Sequence, residues 1–310
     1  MNPSHQHAAG ATPVEGSRPG PRTALVLGGG GSVGNAWLLG VVAGLHDAGL
    51  DVTRAGLTIG TSAGSTAAAQ LSAAAPSELL SAVLDGVPQR SARPPGSVGG
   101  AARARPATHL ETTGALIAAS QDAADMRRRL GAWALETESA TPRSPQWRAT
   151  VAARLPSQVW PHERLLITAV DAVTGEPVVF DRDSGVDLVD AVAASCAGGF
   201  AYRIGDRHYI DGGYRCNADN ADLAAGCARV LVLSPFGGRT RTPVAWGLDL
   251  ASQVDALRAS GSIVETVAPD SASLAAFGDD MMDLSARAPA ARAGADQGRA
   301  LAEALTELWH

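Results

Sequence analysis

The sequence predicts an α/β fold: a mostly parallel sheet whose strands are joined by helical crossovers. Three observations predict it. Short apolar runs end abruptly in glycine-bearing turns, at Gly28–Gly34 (GGGGSVG), Gly60–Gly64 (GTSAG) and Asp211–Gly213 (DGG). Helix-period segments follow the first two turns. The order strand, glycine turn, helix, strand, glycine turn, helix is that of a parallel sheet with crossovers. At 310 residues and 45% hydrophobic, the chain can bury a sizeable core, and with only 4% aromatics that core is built mainly from Ala, Val, Leu and Ile.

Each element follows in order. Thr23–Leu27 reads as a buried strand. Asn35–Ala48 has helical period and stops at Gly49. Leu57–Ile59 forms a second strand, and Ser65–Ala75 a helix stopped by Pro76. Asp85–Pro106 holds eight Gly and Pro residues and four arginines, and reads as a flexible connection or lid. His109–Ala134 returns to helix, and Thr137–Pro145 is a loop. Arg164–Ala172 and Pro177–Phe180 make a hairpin around Thr174-Gly175-Glu176. Val186–Ala194 is a helix. Arg207–Ile210 is a strand entering Asp211-Gly212-Gly213, and Arg229–Ser234 another. Leu248–Ala259 and Ala290–Leu308 are helices. One domain spans 23–310, preceded by a disordered tail, 1–22, that lacks the apolar core of a signal peptide.

Composition excludes several functions. The net charge of -6 gives no basis for nucleic-acid binding. All 25 basic side chains are Arg, so Schiff-base chemistry and a P-loop lysine are excluded. The cysteines, Cys196, Cys216 and Cys227, form no paired framework, which points to a reduced, cytoplasmic setting. No run reaches ~18 apolar residues, so no membrane span is expected and any membrane contact is peripheral. Leu79–Leu84 is the segment considered for such contact. No His/Cys/Asp cluster has metal-ligand spacing.

The chemistry lies in the three turns, because ligands of parallel α/β sheets bind at the carboxyl ends of strands. The first contains Gly29-x-Gly31-x-x-Gly34 and opens a helix. With Asp51 further on, it fits a dinucleotide fingerprint; it fails the P-loop pattern, since Asn35 and Ala36 stand where Lys and Ser/Thr belong. Its free N–H groups suit a phosphate or an oxyanion equally. The second turn, Gly60-Thr61-Ser62-Ala63-Gly64, favours the oxyanion. It places a serine on a strand-to-helix elbow, where the hydroxyl is exposed as a nucleophile. A nucleotide-binding domain has no use for that elbow.

A nucleophilic serine needs a base. Of seven histidines, His208 paired with Asp171 is the only candidate for a Ser-acid-His order. Asp211 is the better choice. It ends a strand, and Gly212 and Gly213 permit a sharp turn after it. Burial raises a carboxylate's pKa from about 4 and makes direct Ser–Asp proton transfer feasible.

Taken together and in this order, the three turns resemble those of the patatin-like phospholipase family. The resemblance extends to Ala194–Phe200 (ASCAGGF) and Asn217, and covers about 23–76 and 165–310. It implies a three-layer α/β/α fold and hydrolysis of ester-linked acyl chains of lipids by a Ser–Asp dyad, Ser62 and Asp211, without histidine. It implies an oxyanion hole from Gly29, Gly30, Gly31 and Ala63, with Gly34, Gly60, Gly64, Gly212 and Gly213 as motif glycines, and no cofactor. One departure is Val33, where the family usually carries Arg or Lys. That departure keeps a catalytically silent lipid-binding protein open as an alternative, beside a less favoured nucleotide-binding role for Gly29–Gly34.

Overall fold

The computed structural model describes residues 22–86 and 109–309. The expected tail, save Arg22, and nearly all of the expected connection at 85–106 lie outside the described residues. Among the described residues the fold is a mixed eight-stranded sheet flanked by helices on both faces, a three-layer α/β/α arrangement.

β1 (Thr23–Leu27) leads into α1 (Gly31–Asp47), β2 (Leu57–Gly60) and α2 (Ala63–Leu71). β1 pairs in parallel with β2. Alternation along β1 defines the layers. Leu25 and Leu27 join the core beneath α1 and α2, whereas Ala24 and Val26 join the opposite core. A strand buried on both faces reads as one apolar run, as TALVL does.

Several boundaries differ from the sequence reading. Pro76 does not end a helix. It starts α3 (Pro76–Asp85), at the first helical position, where its missing N–H costs nothing. Leu79 is buried there, so that part of Leu79–Leu84 packs on the core. The helix expected over 109–134 is two: α4 (His109–Ala118) and α5 (Ala123–Ala140), separated by an N-cap at Asp122 that accepts from the Asp125 N–H. The loop expected at 137–145 is largely helical, since α5 runs on and α6 (Ser144–Ala152) follows.

β3 (Leu165–Asp171) and β4 (Pro177–Phe180) form the expected hairpin. Asp171 closes its turn by accepting the Val173 and Thr174 N–H groups, and pairs with Arg207. α7 (Leu188–Ser195) precedes β5 (Tyr202–Ile204) and β6 (Arg207–Asp211). β7 (Arg229–Leu233), α8 (Leu250–Ala259), β8 (Ile263–Val267), α9 (Ser271–Phe277) and α10 (Arg287–Trp309) complete the chain. The strand order is β5-β6-β3-β2-β1-β7-β8, with β4 on the other edge of β3.

The register places the site. Ile167 of β3 faces Gly60 of β2 on one edge and Phe180 of β4 on the other. Ala169 faces Val178 of β4 and, across the first edge, Asp211 of β6. β2 and β6 therefore share one edge of β3. β2 runs parallel to β3 and β6 antiparallel, so their carboxyl ends meet head to head.

The other determinant is close helix packing. Gly40 and Gly44 of α1 face Ala291 and Ala295 of α10, while Gly294 and Gly298 face Trp37 and Val41. A methyl group at Gly44 would overlap the Ala295 carbonyl, which is backbone and cannot swing away. On a solvent-exposed helix, alanine for glycine gains up to about 1 kcal/mol. Here Gly44→Ala is expected to lower stability by about 1–3 kcal/mol through overpacking, read as a lower denaturant midpoint.

Candidate active site

The GTSAG turn is an elbow. Ser62 has φ 52° and ψ −117°, a strained backbone for a non-glycine residue. Its surroundings hold it there. The Ser62 N–H donates to Ser195 Oγ at 2.9 Å, and its carbonyl accepts from Ser65 Oγ at 2.6 Å and Cys196 Sγ at 3.1 Å. Two of these partners belong to the ASCAGGF segment, which thus braces the elbow from α7. Burial pushes the Cys196 thiol up to about 11, so it stays protonated and donates. The flanking glycines permit the fit. A side chain on Gly64 would overlap the Leu27 carbonyl, and one on Gly60 would come 2.6 Å from Ser65 Cα.

Asp211 ends β6 directly opposite. Its Oδ2 accepts from Ser62 Oγ at 2.8 Å, and its Oδ1 from the Gly213 N–H at 2.8 Å. Its own N–H donates to the Ala197 carbonyl at 3.0 Å. Gly212 lies so close to Thr168 of β3 that any side chain there would overlap it. Although an edge of Asp211 reaches the surface, protein atoms crowd the carboxyl. Burial raises its pKa to about 6, against the lowering effect of the Gly213 and Ser62 hydrogen bonds.

A buried polar network sets the spacing of the two strand ends. Asn220, in left-handed backbone at φ 53°, places its amide nitrogen 3.0 Å from Thr61 Oγ1 and 3.0 Å from the Gly212 carbonyl. Thr168 Oγ1 donates to Thr61 Oγ1 at 3.0 Å. One amide therefore joins the residue before Ser62 to the residue after Asp211. Asn217, singled out in the sequence, acts one step further out. Its Oδ1 accepts the Asp219 and Asn220 N–H groups.

The GGGG turn runs beside the elbow. A methyl group at Gly29 would sit 3.5 Å from Ser62 Cβ. The Gly29 N–H donates to the Ala218 carbonyl at 2.8 Å, which corrects the expectation that it faces an oxyanion. The N–H groups of Gly30, Gly31 and Ala63 have no acceptor among the described residues, as expected of first-turn amides. Gly31 has φ +61°, and a side chain there would meet the Met281 carbonyl at 2.6 Å; Gly30 and Gly34 press on Pro235. Beneath the turn, Asp219 is 2% exposed and its Oδ1 lacks a hydrogen bond among the described residues. Burial raises its pKa to about 6.

Ser195 and Thr61 lie within the ASCAGGF and GTSAG motifs without a role of their own in the sequence, and His109, Thr168 and Asn220 carried no signal there. The His109 ring lies by Gly198 and Gly199 and stacks on Trp133 at 5.4 Å. Burial and the nearby Arg241 lower its pKa, so it is neutral at pH 7. The alternatives fare differently. Asp171 is occupied by its turn and by Arg207, and His208 lies three residues up β6 from Asp211. Asp51 caps a 3₁₀ turn, accepting from Thr53 and Arg54. No group of three His, Cys, Asp or Glu side chains could hold a metal ion among the described residues.

Three comparisons bear on this geometry. No curated protein sequence matches the chain. Among solved structures, the type III effector protein ExoU is similar at 18% identity and a TM-score of 0.32. That likeness covers 91% of this chain, which spans about half (54%) of the effector's length, and it is too distant to bear on function. The family model for "Patatin-like phospholipase" matches residues 25–225, which takes in all three glycine turns. The chain therefore belongs to the patatin-like phospholipase family.

Proposed function

We propose that the chain is a serine acyl hydrolase that cleaves ester-linked acyl chains of lipids, with Ser62 as nucleophile and Asp211 as base. The observation that carries this reading is the 2.8 Å hydrogen bond from Ser62 Oγ to Asp211 Oδ2, formed at a strained elbow beside unpaired backbone amides.

In the first step Asp211 Oδ2 takes the Ser62 hydroxyl proton as Oγ bonds to the acyl carbonyl carbon. The N–H groups of Gly30, Gly31 and Ala63 receive the oxyanion. A donor so placed is worth about 3–4 kcal/mol in the transition state. The ester bond then breaks, the leaving oxygen takes the proton from Asp211, and Ser62 holds the acyl chain. Water gives a proton to Asp211 and attacks the acyl carbon. The acid departs, and Oγ recovers the proton. A carboxyl poised near 6 is suited to accept and return a proton at neutral pH. The chemistry uses no metal.

The surroundings favour an apolar substrate. Leu110, Val244 and Met282 are exposed large apolar side chains on segments that border the site. Leu110 follows His109, Val244 lies in the loop whose Arg241 bonds the Leu110 carbonyl, and Met282 follows the residue packed on Gly31. No helix among the described residues is long and apolar enough to cross a membrane, so contact with a lipid surface would be made by such side chains.

Three outcomes are expected. Wild type releases p-nitrophenol from medium-chain esters and is labelled by a fluorophosphonate at Ser62; Ser62→Ala loses labelling and at least about 10³-fold in turnover. An equal rate in the variant would remove the mechanism. The kcat/KM of wild type rises with pH through an apparent pKa of about 6, as Asp211 loses its proton. A profile flat from pH 5 to 8 would contradict the assignment. Because the folded pKa of Asp211 is raised, the folded chain binds its proton more tightly than the unfolded chain does. Stability is thereby lost as pH rises from about 4 to about 6. Asp211→Asn is therefore expected to be inactive yet to melt higher than wild type at pH 8, with the gain shrinking toward pH 4.

A further inference from the structure

Arg287 is the first residue of α10, which lies wholly beyond the residues that the family model covers. The glycine-mediated approach of α10 to α1 carries Arg287 onto the first turn of α1. There its half-buried guanidinium forms a fork. Nη1 donates to the Ser32 carbonyl at 2.7 Å and lies 3.1 Å from the Ser32 hydroxyl. Nη1 and Nη2 both reach Asn35 Oδ1 at 3.2 Å.

All these acceptors are neutral, and the ion pairs among the described residues include none with Arg287. A partly desolvated cation without a counter-ion, at the positive end of a helix dipole, is unfavourable in isolation. Burial and the nearby Arg154 lower its pKa accordingly. The arrangement makes sense through what it holds. Ser32 directly follows Gly31. Asn35, with its Oδ1 on the guanidinium, turns its amide nitrogen to Gln70 Oε1 at 3.1 Å and to the Ala63 carbonyl at 3.4 Å. Arg287 and Asn35 thus tie the glycine turn to the helix that follows the elbow. Val33, between the two held residues, is fully buried and brings no charge.

We propose that Arg287 is a positioning residue for the glycine turn. Its fork keeps the Gly30 and Gly31 amides aimed at the oxygen that develops charge over Ser62, and adds positive potential behind them. The kinetic part of this inference rests on the hydrolase reading; the anchoring part does not.

The test uses Arg287→Ala, Arg287→Lys and Asn35→Ala in the full chain, with two readouts. One is the rate of fluorophosphonate labelling, together with kcat and KM on a p-nitrophenyl ester. The other is amide hydrogen exchange in the peptide spanning 28–36. Arg287→Ala is expected to slow labelling and kcat on the order of 10- to 100-fold, the scale of a misplaced catalytic group. KM should stay within about twofold, since the lost interaction acts in the transition state. Added guanidinium ion, below denaturing concentration, should restore part of the rate, which a purely structural defect would not allow. Exchange should quicken in 28–36 but not in α8. Arg287→Lys should fall between, because an ammonium cannot hold both acceptors in a planar fork. A folded Arg287→Ala with wild-type labelling and exchange would overturn the proposal. If Arg287→Ala does not fold, Arg287→Lys and Asn35→Ala decide by the same readouts. If wild type is not labelled at all, the hydrolase reading fails, and exchange alone decides whether Arg287 anchors the turn.

Discussion

A central strand can offer one edge to two partners only if each covers part of its length. β3 does this: β2 occupies the start of one edge and β6, running the opposite way, occupies the end. The two chains must both turn away where they meet. Each turn then projects a side chain into the same small space, Ser62 from one and Asp211 from the other. The 2.8 Å contact between them is a consequence of register rather than of a flexible loop finding a partner. The Thr61, Thr168 and Asn220 network closes the seam from below, where an unsatisfied polar group would be costly.

Small residues make the geometry possible at each level. Glycines at 60, 64 and 212 let backbone press on backbone around the junction, and Gly31 supplies a left-handed turn over it. Further out, the glycine pairs of α1 and α10 draw two helices into near contact and deliver Arg287 to the glycine turn. The same logic accounts for a core with few aromatics: interdigitation at backbone distance uses Ala and Gly where a looser architecture would need large side chains.

Much of this was legible in the sequence because the decisive residues announce themselves through backbone need. A serine between glycines after TIG, and an aspartate before two glycines after HYI, mark strand ends whatever surrounds them. The β1, β3 and β7 strands were legible because burial on both faces leaves continuous apolar runs. Other features depend on partners remote in the chain and leave no local trace. Asn220 lies in an ordinary polar stretch, NADNAD, and only the fold reveals that it spans two strand ends. Ser195 ends a helix and looks like a capping residue until Ser62 is placed against it. β8, IVETV, alternates poorly because it is an edge strand with exposed positions, and Pro76 was misread because a proline can begin a helix as readily as end one. The Gly29 amide illustrates the limit most sharply: the motif includes it, but its proton is committed to Ala218.

Ser62, Asp211 and the Gly30, Gly31 and Ala63 amides are proposed to act as a single reactive centre. A crystal structure of the chain after reaction with an alkyl fluorophosphonate tests it most directly. The expected result is a phosphorus–Oγ bond at Ser62, with the phosphonyl oxygen within about 3.1 Å of at least two of those amides and the Asp211 carboxyl beside the adduct. A covalent adduct on another residue, or one at Ser62 whose phosphonyl oxygen points to solvent away from the glycine turn, would contradict it.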